Sequence, residues 1–90
     1  MMIIEALPKK YFNAEHLPGA LNIPHDEIQE HVSLLPDKDA FIVVYCSNAA
    51  CQNSTIAVNK LQQMGYTCVF EYVDGKQDWV EAGLPVESTK

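Results

Sequence analysis

A cysteine stands where an apolar segment gives way to small and polar residues. The apolar segment is 41–45 (FIVVY), Cys46 follows it directly, and 47–52 (SNAACQ) comes next. In an open parallel sheet, ligands bind beyond the carboxyl ends of the strands. A helix that begins there offers free backbone N–H groups and roughly half a positive charge, which stabilise a thiolate. The sequence therefore predicts that Cys46 is a nucleophile whose pKa lies below the free-thiol value of about 8.5.

The residues after this cysteine are expected to surround a charged sulfur or anion with backbone amides. Small side chains let the backbone approach closely, and amides that converge on one point form an anion-binding nest. The competing interpretation is that Cys46 is a small apolar residue buried at the end of a core strand, because cysteine is often fully buried. The run of small residues favours the reactive interpretation. The predicted amide donors are Ser47, Asn48, Ala49, Ala50, Cys51 and Gln52.

The second cysteine of the loop has two possible roles. Cys51 lies five residues after Cys46, so it can act as a resolving thiol that attacks an oxidised or persulfidated Cys46. Alternatively, its thiol only packs against the underside of the loop. Cys68 is assigned to a strand and to packing. The total of three cysteines does not suit a disulfide framework, and their spacing does not suit zinc, so no metal or cofactor is expected.

Composition narrows the classes of partner. The 90 residues carry a net charge of −6 and contain no arginine. An acidic surface disfavours nucleic acid and anionic membranes, and we expect neither as a partner. Without a guanidinium group, phosphoryl-transfer chemistry is also disfavoured. The chain has no apolar run of about 20 residues and no signal-peptide pattern at its N-terminus, so we expect a cytoplasmic protein.

Apolar periodicity and turn residues predict strands that alternate with helices. Strands are expected at 2–5, 20–23, 41–45 and 68–73. A helical turn is expected at 9–13, and Asp26 with Gln29 resembles a capping box ahead of a helix that Pro36 ends. Asn53 or Ser54 is expected to cap a third helical segment, and Asp74 a fourth. This alternation predicts an α/β fold with a small parallel sheet of about four strands between helices.

The chain resembles the rhodanese family along almost its whole length. The resemblance is carried by 11–24 (YFNAEHLPGALNIP), 41–46 (FIVVYC), 61–66 (LQQMGY) and 75–87 (GKQDWVEAGLPVE). It implies a three-layer rhodanese-like fold, with 1–90 as a single domain that lacks the family's first strand and helix. The family's Asp-Val-Arg segment is replaced here by 5–7 (EAL).

The resemblance also implies an activity. Family members transfer sulfane sulfur through a cysteine persulfide that is held in a loop of backbone amides. By that resemblance, Cys46 carries the persulfide and 47–52 forms the cradle, although Gln52 stands where an arginine is usual. The expected partners are a small sulfur donor or a persulfide-bearing protein. The alternative is a non-enzymatic module that binds a protein or senses redox state through Cys46 and Cys51.

Overall fold

The computed structural model describes residues 1–89 and contains one parallel sheet of four strands, in the order β2-β1-β3-β4. The predicted α/β fold is confirmed. No helix among these residues is long and apolar enough to cross a membrane. The strands are β1 (Met2–Glu5), β2 (Leu21–Asn22), β3 (Ile42–Tyr45) and β4 (Val69–Tyr72), and the α-helices are α1 (Lys9–Ala14), α2 (Asn53–Gln63) and α3 (Gly75–Glu81).

The two faces of the sheet are covered by different layers. Side chains alternate between faces along a strand, so neighbouring residues of β3 contribute to separate clusters. Val44 packs in the larger cluster with Leu61 of α2, whereas Tyr45 packs in the smaller one with Leu17 and Trp79. The sheet therefore lies between helical layers, and β3 occupies a central position in it.

Two of the predicted helix starts are wrong in detail. The segment Ile28–Leu34 is a 3₁₀ helix interrupted at His31, and no side chain caps its start, so the predicted capping box is not formed. A segment this short gains few α-helical hydrogen bonds, which favours the tighter helix. Helix α2 begins after Gln52, again without a side-chain cap. Ser54 does not cap it because its hydroxyl contacts Cys46 and Glu71.

The aromatic residues near α1 and α3 are only partly buried. Tyr11 is 48% exposed. Phe12 is partly buried and stacks on His16, with 3.8 Å between ring centroids. His16 forms a hydrogen bond to backbone, from Nδ1 to the carbonyl of Phe12 at 2.8 Å. Trp79 packs at the margin of the smaller cluster and donates its Nε1–H to the carbonyl of Pro85.

A buried carboxylate joins the sheet to the start of α3. Glu5 is 0% exposed, and its Oε1 lies 3.0 Å from the ammonium group of Lys76 and 2.8 Å from the hydroxyl of Tyr45. That hydroxyl also accepts a hydrogen bond from the amide of Leu17. Burial, followed by the neighbouring Glu5, raises the pKa of Tyr45, so the phenol stays protonated as a donor. Lys76 further donates to the carbonyl of Tyr11 at 3.0 Å.

Removing the ammonium group from this network should destabilise the fold. We expect Lys76→Met to lower the free energy of unfolding by about 3–5 kcal/mol, because it leaves the Glu5 carboxylate buried without a counter-ion. Urea denaturation measures the change, and Lys60→Met, on an exposed position of α2, is the matched control. The double variant Glu5→Gln/Lys76→Met should recover part of the loss. Equal stability of Lys76→Met and Lys60→Met would contradict the assignment.

Candidate active site

Cys46 follows β3 directly and lies at the carboxyl end of the sheet, as predicted. Its side chain is enclosed, with 0% of the residue exposed. The sulfur lies 3.2 Å from the hydroxyl oxygen of Ser54 and 3.4 Å from the carbonyl oxygen of Cys51. Ser54 belongs to the first turn of α2, so the helix and the loop together close over the thiol.

The hydroxyl of Ser54 connects the Cys46 thiol to the carboxylate of Glu71. The Ser54 hydroxyl donates to Oε2 of Glu71 at 2.7 Å, and the Thr55 hydroxyl donates to the same oxygen at 2.8 Å. Because Ser54 has one proton and it points to the carboxylate, its oxygen is available to accept the proton of Cys46. The sequence analysis missed both Ser54 and Glu71 as site residues. The one signal was a carboxylate inside the otherwise apolar strand at 68–73.

The loop 47–52 folds on itself instead of leaving all its amides free. The amide of Ala50 donates to the side-chain oxygen of Asn48, and the amide of Cys51 donates to the carbonyl of Asn48, both at 3.0 Å. These two predicted donors are therefore used within the loop. Ala49 and Gln52 are exposed, whereas Ser47 and Cys51 are partly buried.

The two thiols of the loop have opposite pKa shifts. Burial, followed by the interaction with Cys51, raises the pKa of Cys46, and hydrogen bonds with Ser54 offset this only in part. Burial also raises the pKa of Cys51. However, hydrogen bonds from Cys46, from the backbone of Ser47 and Asn53, and from the Ser47 side chain outweigh it, so the net shift is downward. The prediction that Cys46 has the lowered pKa is wrong, because burial outweighs the hydrogen bonds that the backbone and hydroxyl of Ser54 supply to that thiol.

The start of α3 holds the loop from the other side. The amide of Lys76 donates to the carbonyl of Cys46 at 2.9 Å, and the amide of Gln77 donates to the carbonyl of Ser47 at 2.8 Å. This approach requires glycine at position 75. Gly75 has φ of +66°, and a Cβ atom there would lie 2.5 Å from the carbonyl oxygen of Cys46.

An open groove of about 770 Å³ lies beside the loop. The groove is lined by both apolar and charged side chains, and Ser47 is the residue of the cysteine loop that lines it. The ammonium group of Lys76 also lines it, but that group already contacts Glu5 and backbone carbonyls. The groove therefore borders the cysteine loop at Ser47.

The third cysteine and the candidate metal ligands lie elsewhere. Cys68 precedes β4, and its carbonyl accepts the amide of Ile42, so it lies at the amino end of the sheet. All three cysteines are free thiols. Among residues 1–89, one group of three potential metal ligands is found, and it contains no cysteine: Glu27, Glu30 and His31.

The contact at Gly75 gives a prediction with a matched control. We expect Gly75→Ala to lower the free energy of unfolding by roughly 3 kcal/mol or more, because overpacking adds to the strain of a left-handed backbone. Gly83 has a similar φ of +76° but open space around it, so Gly83→Ala should lose only the backbone contribution, about 1–2 kcal/mol.

Urea denaturation of both variants measures the difference, and the alkylation rate of Cys46 reports whether the loop has opened. We expect faster alkylation in Gly75→Ala than in Gly83→Ala. Identical stability and alkylation in the two variants would show that the approach of Gly75 to Cys46 does not position the loop.

Comparisons with known proteins agree on the fold and on the family. The family model for the rhodanese-like domain matches residues 1–82. The chain is similar to the thiosulfate sulfurtransferase PspE of Escherichia coli, with 40% identity over 73 residues, which are 80% of this chain and 66% of that protein. It is also similar to the HTH-type transcriptional regulator Rv0324 of Mycobacterium tuberculosis, with 36% identity over 86 residues.

The matches differ in the share of each protein that the alignment covers. The alignment to the regulator covers 94% of this chain but only 37% of the regulator's length. Among solved structures, a rhodanese with anions from E. coli superimposes with a TM-score of 0.80 and 32% identity, covering 97% of this chain and 96% of that one. A family match over most of the chain, together with this structural likeness, leads to one conclusion: the chain belongs to the rhodanese-like domain family.

Proposed function

We propose that this domain is a sulfurtransferase that holds sulfane sulfur as a persulfide on Cys46 and passes it to a thiophilic acceptor. The observation that carries the proposal is the enclosure of the Cys46 sulfur at the carboxyl end of β3, with Ser54 and Glu71 linked behind it. A persulfide held there is shielded from solvent. The similarity to a protein named thiosulfate sulfurtransferase supports the reaction class.

The proposed reaction has two substitution steps at sulfur. In the first, a thiolate of the site attacks the sulfane sulfur of the donor, and the donor fragment leaves with the electron pair of the broken bond. In the second, the acceptor nucleophile attacks the outer sulfur of the persulfide, and the cysteine thiolate leaves. Neither step needs an external oxidant or reductant, because the sulfane sulfur keeps its oxidation level when it moves from donor to acceptor.

The negative charge of the chain favours sulfur donors that are not small free dianions. The chain has a net charge of −6, and its groove contains the carboxylates of Glu15 and Glu81. The nearby ammonium group of Lys76 is occupied by Glu5 at 3.0 Å. A small dianion such as thiosulfate therefore meets repulsion that is not compensated locally. We propose a persulfide-bearing protein or a weakly charged polysulfide as donor, in the cytoplasm.

A second candidate is a non-enzymatic module that senses redox state or binds a protein. The raised pKa of Cys46 favours this alternative, because a protonated thiol attacks a donor slowly. The similarity to part of a transcriptional regulator is compatible with it. The two candidates differ in one observable, which is whether the loop takes up sulfur from a donor and releases it to an acceptor.

Intact-protein mass spectrometry tests this directly. After incubation with a polysulfide, we expect an adduct of about 32 Da, the mass of one sulfur atom, which cyanide or a thiol then removes. The variant Cys68→Ser should behave like the wild type, and Cys46→Ser/Cys51→Ser should gain no adduct. A wild-type protein that takes up no sulfur, or takes up sulfur that no acceptor removes, would favour the non-enzymatic module.

A further inference from the structure

The enclosure of Cys46 creates a problem of access for any sulfur donor. Cys46 is 0% exposed, and its sulfur is covered by the carbonyl of Cys51 and the hydroxyl of Ser54. A donor sulfur must approach along the line of the new bond, and these two groups occupy the space around the thiol. Cys51 is only partly buried, so it is the thiol of the loop with access to solvent.

We propose that Cys51 is the entry nucleophile, which takes sulfane sulfur from the donor and hands it to Cys46. This inference rests on the proposed sulfurtransferase function and assigns the residue that receives the sulfur first. It also replaces the resolving role that the sequence suggested for Cys51, because the more exposed thiol is placed to react before the buried one.

The surroundings of Cys51 fit the role of an attacking thiolate. Interactions with the Cys46 thiol and with the backbone of Ser47 and Asn53 outweigh burial and lower the pKa of Cys51. Asn53 is the first residue of α2, an 11-residue helix whose N-terminal amides stabilise negative charge. Ser54, in the same turn of the helix, acts on Cys46 instead, but there it only offsets burial in part. Its carbonyl lies 3.4 Å from the Cys46 sulfur, so the residue bridges the exposed side of the loop and the enclosed thiol.

The handover is a balanced exchange of one sulfur atom between two thiols. The thiolate of Cys46 attacks the outer sulfur of the Cys51 persulfide, a new S–S bond forms, and the old bond breaks with its electron pair on Cys51. The thiol with the lower pKa is the better leaving group, so the sulfur moves readily from Cys51 to Cys46. The products are a persulfide on the enclosed Cys46 and a thiolate on Cys51.

The proton of Cys46 leaves through the groups behind it. Ser54 accepts this proton while its own proton passes to Glu71, which lies 2.7 Å from the hydroxyl. After this transfer the Ser54 hydroxyl points at the Cys46 sulfur and stabilises the thiolate. Glu71 is only partly buried, so it can return the proton to solvent. Ser54 and Glu71 are positioning residues for the second step and do not contact the donor.

A single-turnover experiment with cysteine persulfide as the probe, a donor with one net negative charge, separates the two steps. Samples are quenched at successive times with an alkylating agent, and tandem mass spectrometry locates the added sulfur. In the wild type we expect sulfur on Cys51 first and on Cys46 later. Cys46→Ser should still load Cys51 and keep the sulfur there. Cys51→Ser should load at least about tenfold more slowly, because the remaining thiol is protonated and enclosed.

The controls distinguish failure of this inference from failure of the proposed function. Cys68→Ser should load like the wild type, and Ser54→Ala should slow the appearance of sulfur on Cys46 without slowing that on Cys51. If Cys51→Ser loads Cys46 at the wild-type rate, or if wild-type sulfur reaches Cys46 first, the entry role is overturned while sulfur transfer stands. If no sulfur binds to either cysteine of the wild type, the proposed function itself fails.

Discussion

The position of the candidate site depends on the ion pair between Glu5 and Lys76. The carboxylate belongs to β1 and has no exposed surface, so it depends on the ammonium group and on the hydroxyl of Tyr45 for compensation. The same lysine is the second residue of α3, and its backbone amide donates to the carbonyl of Cys46. One residue therefore compensates the buried charge and fixes the end of β3, which couples the position of the cysteine loop to the packing of the sheet.

This arrangement makes the two cysteines of the loop chemically unequal. Because α3 and β3 hold Cys46 inward, that thiol loses contact with solvent and its pKa rises. The chain then turns through Asn48 and brings Cys51 to the start of α2, where the Cys46 thiol and then backbone donors outweigh burial and lower the pKa of Cys51. A short loop between a strand and a helix thereby places an enclosed thiol and an ionisable one side by side.

The sequence predicted the parallel sheet and the position of Cys46 because both depend on local signals, namely apolar runs and a cysteine at the end of one of them. The sign of the pKa shift at Cys46 was predicted wrongly, because the charge of the helix N-terminus was counted and desolvation was not. Glu71 was missed because it approaches Ser54 only through strand pairing and packing of α2. The 3₁₀ geometry of Ile28–Leu34 likewise has no clear local signal.

The most direct test of this account is an NMR titration of the wild-type protein with ¹³C-labelled cysteine, which follows each Cβ chemical shift as the pH is raised. No substitution is needed, and the three cysteines report separately. The account predicts that Cys51 ionises first, at a pH below the free-thiol pKa of about 8.5, and that Cys46 ionises above that value. Ionisation of Cys46 before Cys51 would contradict it.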